Sequence, residues 1–337
     1  MEKRVFSCFD GHTCGNPVRL ISGGVPFLKG NTMADKRLYF MEHYDWIRKS
    51  LMFEPRGHDM MSGSMLFPPC DPKNDFGILF VETSGCLPMC GHGSIGTITM
   101  ALENGLIHPK VEGKLNMETP AGLVKVGYEM QEGKVKWVEL INVPSFLAAY
   151  NLEIELDIVG GSLVFDVAYG GNFYAIIDPQ ENFKGIENYT ASELIDMSQK
   201  LRREIASKYK NAFIHPEHKE IQGIHHIMWT GRVLDNSSTA RNAVFYGDKA
   251  IDRSPCGTGT SARLAQWHAK GKLNSDEVFI HESFIGSTFE AKVVELTKVG
   301  DINAIRPSVK GWAKQYGVNT ITVDPEDDPF AAGFQVI

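Results

Sequence analysis

Long apolar runs are missing from this chain of 337 residues. The longest are of the size of Gly77-Ile78-Leu79-Phe80-Val81, far short of the roughly 18–20 residues of a helical membrane span. The opening Met1–Asp10 has no apolar h-region long enough for a secretory signal, so a cytoplasmic protein is expected. A basic excess is missing too. The 34 Lys and Arg face 41 Asp and Glu, a formal charge of -7, which argues against a nucleic-acid scaffold and a polybasic membrane anchor. Cysteine is scarce: Cys8, Cys14, Cys70, Cys86, Cys90 and Cys256 are all there are. Five crowd the first 90 residues and one stands alone. Such spacing is no disulfide framework and reads as free thiols in a reducing compartment. What is present is ordinary for a globular enzyme, with 43% hydrophobic and 22% charged residues. At this length two domains of similar size are expected. Glycine, at 33, exceeds what linkers need and points to tight turns and close backbone approaches.

Two segments repeat one pattern. Gly77-Ile78-Leu79-Phe80-Val81 leads through a turn to Met89-Cys90-Gly91-His92-Gly93-Ser94. Asn242-Ala243-Val244-Phe245-Tyr246 leads to Pro255-Cys256-Gly257-Thr258-Gly259-Thr260. In each, a strand-like run precedes Cys-Gly-X-Gly-[Ser/Thr], and helical spacing follows: Ile95, Ile98, Leu102 and Leu106 after the first, Ala262, Leu264, Ala265 and Ala269 after the second. Gly105 and Gly271 are the expected helix stops. Farther on, Gly122 and Gly286 each open a strand-like run, 32 and 30 residues past their cysteines. The cysteines lie 166 residues apart, about half the chain, which indicates a domain duplication and not a solenoid. Elsewhere, Thr32 to Leu51 reads as a helix with Leu38, Met41, Tyr44 and Ile47 on one face. Thr190-Ala191-Ser192-Glu193 is a capping box opening a second helix with the stripe Leu194, Met197, Leu201, Ile205 and Tyr209, part of a surface insertion that runs to Glu220. Val135–Val143, Leu163–Val167, Phe173–Ile177 and Thr320–Val323 read as strands.

A cysteine immediately before a helix meets unpaired N–H groups and the positive end of the helix dipole, both of which favour thiolate and anion. Glycines at the next positions let a carboxylate approach the backbone. Two such sites could place a sulfur on each face of one α-carbon. Stereochemical inversion by proton transfer needs that pair, with thiolate as base and thiol as acid. Cys8 and Cys70 read instead as small buried hydrophobes. Two lookalikes compete. Gly91–Gly96 matches G-x-G-x-x-G, and Gly257–Ala262 its G/A form, but a turn separates each from its strand and no acidic residue ends a second strand at the required distance. Cys86, Cys90, His92, His12 and Cys14 offer zinc-type ligands without C-x-x-C or H-E-x-x-H spacing, so zinc stays an alternative only.

At these residues the chain resembles the proline racemase family. The resemblance rests on 10–19 (DGHTCGNPVR), 54–61 (EPRGHDMM), 84–93 (SGCLPMCGHG), 166–174 (DVAYGGNFY) and 252–260 (DRSPCGTGT). It implies an α/β, diaminopimelate epimerase-like fold of two pseudo-symmetric halves, each a β-barrel-like sheet around a central helix, with the active site between them. The expected halves are 1–137 with 315–337, and 138–314. It further implies that Cys90 and Cys256 are the catalytic acid/base pair and that neither pyridoxal phosphate nor metal takes part. Backbone groups of Gly91, His92, Gly257 and Thr258 would hold the substrate carboxylate, with Asp252 and His226 near the ring amine. His225 and His226 are adjacent, so on a strand only one can reach a given face; the Ile227-Met228-Trp229-Thr230-Gly231 context selects His226. His12 reads as structural. The implied activity is epimerisation of trans-4-hydroxy-L-proline to cis-4-hydroxy-D-proline, with proline racemisation as the alternative. Dehydration of trans-3-hydroxyproline goes with a threonine in place of the second cysteine, and Cys256 argues against it. Intact cysteines also argue against an inactive amino-acid-binding relative. The expected partner is a small-molecule substrate, with no nucleic acid or membrane, and a homodimer is left open.

Overall fold

The computed structural model describes residues 3–336. The chain divides into two compact units, one running to Leu140 and resuming at Gly311, the other Ile141–Lys310. In chain order the elements are β1 (Arg4–Thr13), β2 (Asn16–Gly23), α1 (Met33–His43), α2 (Asp45–Met52), β3 (Ser62–Phe67), β4 (Phe76–Glu82), β5 (Gly85–Leu87), α3 (Gly91–Glu103), β6 (Lys114–Thr119), β7 (Gly122–Gln131) and β8 (Lys134–Ile141). The second unit holds β9 (Phe146–Leu156), β10 (Gly161–Tyr169), β11 (Phe173–Ile177), α4 (Ala191–Lys208), β12 (Ile224–Gly231), β13 (Ala240–Tyr246), β14 (Ala250–Ile251), α5 (Gly257–Ala269), β15 (Phe279–Glu282), β16 (Thr288–Val299) and β17 (Ile302–Gly311). The last strand, β18 (Ala313–Val323), belongs to the first unit. Among the described residues no helix is long and apolar enough to cross a membrane.

In the first unit β1 pairs antiparallel with both β2 and β18. The ladder continues through a parallel β2–β3 pair, antiparallel β3–β4, parallel β4–β6 and antiparallel β6–β7. These strands curve around α3, which touches β1, β2, β3 and β18. The helix is buried on every side from Gly91 to Leu102. Small residues make that burial feasible: a Cβ at Gly96 would lie 2.7 Å from Val18 Cγ1 and 2.8 Å from Thr13 Oγ1. The opposite face of the sheet is covered by α1 and α2, which close a core containing Phe6, Ile21, Phe40, Leu51 and Met65.

The second unit repeats the plan. Antiparallel β9–β10–β11 leads to a parallel β11–β12 pair, antiparallel β12–β13, parallel β13–β15 and antiparallel β15–β16–β17. Here α5 is the central helix, touching β9, β10, β11 and β16. On the other face α4 packs its stripe Leu194, Met197, Leu201 and Ile205 toward β12, where Trp229 Nε1 donates to Ser198 Oγ at 2.7 Å. The capping box at Thr190 and Glu193 forms as expected.

Two expectations are corrected. Thr32 to Leu51 is two helices, broken at Tyr44, whose φ of -132° and ψ of 10° are not helical. The break turns Leu38 and Met41 outward, 46% and 43% exposed, and buries Met33, Phe40, Ile47 and Leu51. The repeat also shifts by one residue in its strands. Phe76 faces Met117 across β4–β6, as Ala240 faces His281 across β13–β15. Ile78 therefore corresponds to Asn242, whereas the apolar runs alone match Gly77 to Asn242. The connection from strand to cysteine is two residues longer in the second unit, and matching by apolar runs takes up only one of the two.

Candidate active site

Cys90 and Cys256 occupy the same place in their units, the N-cap of the central helix. Both are buried, 4% and 6% exposed. The first-turn N–H groups that follow have no acceptor within the helix, whose ladder begins with Ser94 N to Cys90 O and Thr260 N to Cys256 O. Glycine at the third helical position leaves room for each sulfur. A Cβ on Gly93 would lie 3.0 Å from Cys90 Sγ, and one on Gly259 3.1 Å from Cys256 Sγ.

In the first unit Gly91 and His92 follow Cys90 directly, and His92 Nδ1 lies 3.6 Å from its Sγ. Asn16 Nδ2 lies 3.1 Å from His92 Nε2, and Thr13 Oγ1 donates to the His92 carbonyl at 2.7 Å. With the Asn16 amide as donor to Nε2, a neutral His92 ring carries its proton on Nδ1. Thr13 and Asn16 face each other across the β1–β2 hairpin, whose two turn residues, Cys14 and Gly15, have φ of 48° and 98°. Two consecutive positive φ values make the tight turn that matches strand twist. The His12-to-Pro17 segment is thus a hairpin that aims two side chains at His92. His12 itself accepts from Gly15 N at 3.1 Å and packs edge-on to Trp312. Asp10 is committed to Arg19 through a bidentate pair at 2.8 Å.

In the second unit Tyr174 stands at the centre. Its hydroxyl is 3.3 Å from Cys256 Sγ and 2.6 Å from Thr258 Oγ1, and its ring stacks on His226 at 5.0 Å. Tyr174 and His226 are register partners across β11–β12. His226 is buried while His225 is exposed, as strand alternation requires. Asp252, also buried, accepts from Ser254 N and Ser254 Oγ at 2.8 Å, and Ser254 Oγ in turn accepts from Cys256 N at 3.2 Å. Burial first, and the Asp252 charge second, push the Cys256 thiol well above its ordinary range; the Tyr174 hydroxyl, Gly259 N–H and Thr258 hydroxyl pull the other way and lose. The net shift favours the thiol over the thiolate at Cys256. The helix N-terminus alone predicts the opposite shift, and it is overridden by desolvation.

The sequence profile of the proline racemase family matches residues 8–335. The chain belongs to the proline racemase family. It is 57% identical over 333 residues to a 4-hydroxyproline 2-epimerase of Spirosoma linguale, covering 98% of each chain. It is 57% identical over 337 residues to a 4-hydroxyproline 2-epimerase of Ancylobacter novellus, covering 100% of each. Among solved structures it resembles a hydroxyproline epimerase from Agrobacterium vitis with bound trans-4-hydroxy-L-proline, at a TM-score of 0.89 and 30% identity, covering 99% of this chain and 96% of that one. A PhzF-family protein of Bacillus anthracis, with a TM-score of 0.55 at 15% identity, shares the fold alone.

Family motifs contain three contributors whose role the residue types did not disclose. Thr13, Asn16 and Tyr174 all lie in the segments that carry the resemblance, yet each acts on a partner far along the chain: 79 residues away for Thr13, 76 for Asn16 and 82 for Tyr174. A hydroxyl or amide in a strand or turn is the only local signal, and it is common.

Proposed function

We propose that this protein is an isomerase that epimerises trans-4-hydroxy-L-proline and cis-4-hydroxy-D-proline at the α-carbon, with Cys90 and Cys256 as its two proton-transfer groups and without a cofactor. The observation that carries the reading is the duplicated site: each unit presents one buried thiol at the N-cap of its central helix. The full-length similarity to 4-hydroxyproline 2-epimerases supports the substrate. Inversion takes a base on one face of the α-carbon and an acid on the other. Cys256, held as a thiol, starts as the acid; Cys90, with His92 Nδ1 beside it, starts as the base. Proton transfer from substrate to Cys90 and from Cys256 to the carbanion leaves the two protonation states exchanged, ready for the reverse reaction. First-turn N–H groups of Gly91, His92, Gly257 and Thr258 receive the carboxylate, and Asp252 receives the ring ammonium, with His226 beside it. That cation also neutralises the carboxylate that keeps Cys256 protonated, which eases formation of its thiolate when the reaction runs backward.

Chiral chromatography of both 4-hydroxyproline epimers, L-proline and trans-3-hydroxy-L-proline tests the proposal, using the purified protein with no additions. Interconversion of the 4-hydroxyproline epimers is expected. Equal turnover of L-proline would replace the substrate with proline and leave the mechanism standing. Cys90→Ser and Cys256→Ser should each lower the rate by at least about a thousandfold, because a hydroxyl is a far weaker acid than a thiol. Near-normal rate in either variant would remove that cysteine from the mechanism.

A further inference from the structure

The two cysteines differ in backbone. Cys90 is extended, with φ -140° and ψ 113°. Cys256 has φ 64° and ψ 108°, a left-handed conformation that a residue with a Cβ rarely adopts. Such strain persists only where the surroundings over-determine it. Taking Cys256 to be a proton-transfer group as proposed above, we infer that Asn242 and His281 are positioning residues that lock the Cys256 backbone in this conformation.

The peptide leading into Cys256 is held by its carbonyl. Pro255 O accepts from Asn242 Nδ2 at 2.9 Å and from Thr260 Oγ1 at 3.3 Å. The peptide leaving it is held by Thr260 N, which donates to Cys256 O at 2.7 Å. The torsion between them is pinned from both sides. Behind both side-chain donors stands His281, fully buried, with Nδ1 2.8 Å from Thr260 Oγ1 and Nε2 2.8 Å from Asn242 Nδ2. One proton arrangement gives every donor of the ring an acceptor and leaves only Asn242 Oδ1 unsatisfied among its atoms. Nδ1–H donates to Thr260, the Thr260 hydroxyl donates to Pro255 O, and the Asn242 amide donates one hydrogen to Pro255 O and the other to Nε2. A protonated imidazole would set N–H against N–H at Asn242, and burial keeps His281 neutral.

The duplication supplies an internal control. Strand and helix registers match Asn242 with Ile78, His281 with Met117, Thr260 with Ser94 and Pro255 with Met89. Ile78 and Met117 are buried and apolar. Ser94 Oγ turns back to Cys90 O at 2.7 Å. Among the described residues the polar ring is therefore built only in the unit whose cysteine is strained. A general need to support the central helix would have placed it in both.

His281→Met and Asn242→Ile install the first unit's side chains and test the inference. Each variant's fold is followed by circular dichroism and thermal melting. Expected in the folded variants is a fall in kcat of about tenfold or more with KM within about threefold, the pattern of a lost transition-state alignment. A second readout needs no turnover. Iodoacetamide labelling, read peptide by peptide, compares Cys256 with Cys90 in the same molecule, and the ratio should move by at least roughly fivefold. His281→Gln, which keeps one donor and one acceptor, should restore most of both. Unmoved labelling ratios with kcat within about threefold of the parent protein would overturn the inference, as would equal losses in His281→Gln and His281→Met. Should His281→Met not fold, Asn242→Ile and Thr260→Val carry the same readouts. A parent protein inert toward every hydroxyproline would refute the proposed function, while the labelling ratio would still decide whether Asn242 and His281 position Cys256.

Discussion

At the scale of single residues, the two thiols are tuned by different neighbours. Cys90 has the His92 imidazole beside it, with Nδ1 3.6 Å from the sulfur and Asn16 against Nε2. Cys256 has a phenol, a hydroxyl and a carboxylate, of which only the carboxylate acts with burial to keep it protonated. Tyr174 is the largest of the contributions that oppose the shift, and its hydroxyl also holds Thr258. Tyr174→Phe should raise the Cys256 pKa further and slow epimerisation by about ten- to a hundredfold, the worth of one hydrogen bond to a developing charge. Initial rates in both directions check this; an unchanged rate would mean the phenol serves packing alone. The matching placement of the two cysteines before their helices was legible because duplication set two rare residues in one context. Asn16 and Tyr174 were not, because their partners become neighbours only through the β1–β2 hairpin and the β11 strand.

At the scale of elements, both sites depend on a helix buried on all sides. Sequence periodicity located α3 and α5 and their glycine stops, Gly105 and Gly271, which have φ of 65° and 67°. It gave one set of apolar positions at helical spacing in each. Burial all round was hidden because Gly, Ser and Thr fill the faces between the apolar positions, and small polar residues score as exposed until strands close over them. The same smallness sets the sulfur's position. A Cβ at Gly259 would lie 2.9 Å from Met228 Cε and 3.1 Å from Cys256 Sγ. Met228 is flexible and can yield, but the sulfur is then displaced from the first helical turn. Gly259→Ala should therefore reduce kcat by about tenfold or more, since small misplacements of reacting groups are costly. Thermal stability should drop only slightly, because alanine favours the helix. A variant that melts as the parent does and turns over at the parent rate would show that the glycine is there for chain flexibility and not for the thiol.

At the scale of the whole molecule, the buried titratable groups are distributed unequally between the units. Groups raised by burial occur in both units, Cys8 and Cys86 at about 12 in the first and Cys256 and Tyr169 in the second, whereas the strongly lowered histidines do not. The second holds His215, lowered by burial to about 4, and His281, lowered further in the same direction. A thiol whose folded pKa is raised contributes stability in full below its unfolded value, and that contribution is lost as pH rises toward the folded pKa. A histidine whose folded pKa is lowered does the reverse. Below about pH 6.5 the unfolded chain takes up a proton that the folded chain refuses, so stability falls with pH until the folded pKa is reached. Each fully buried group changes stability by up to about 1.4 kcal/mol per pH unit within its window. Stability should accordingly be greatest between about pH 6.5 and 9. On the acid side the second unit should yield first. His12 shifts downward in the first unit too, through burial and Lys314, but it is only partly buried. Hydrogen exchange followed by mass spectrometry at pH 7 and pH 5 reads this directly. Peptides of Ile141–Lys310 should lose protection at pH 5 ahead of those in the first unit, and His215→Phe, which keeps the ring against Phe146 and Tyr169, should restore part of it. Earlier opening of the first unit would place the acid-sensitive group elsewhere.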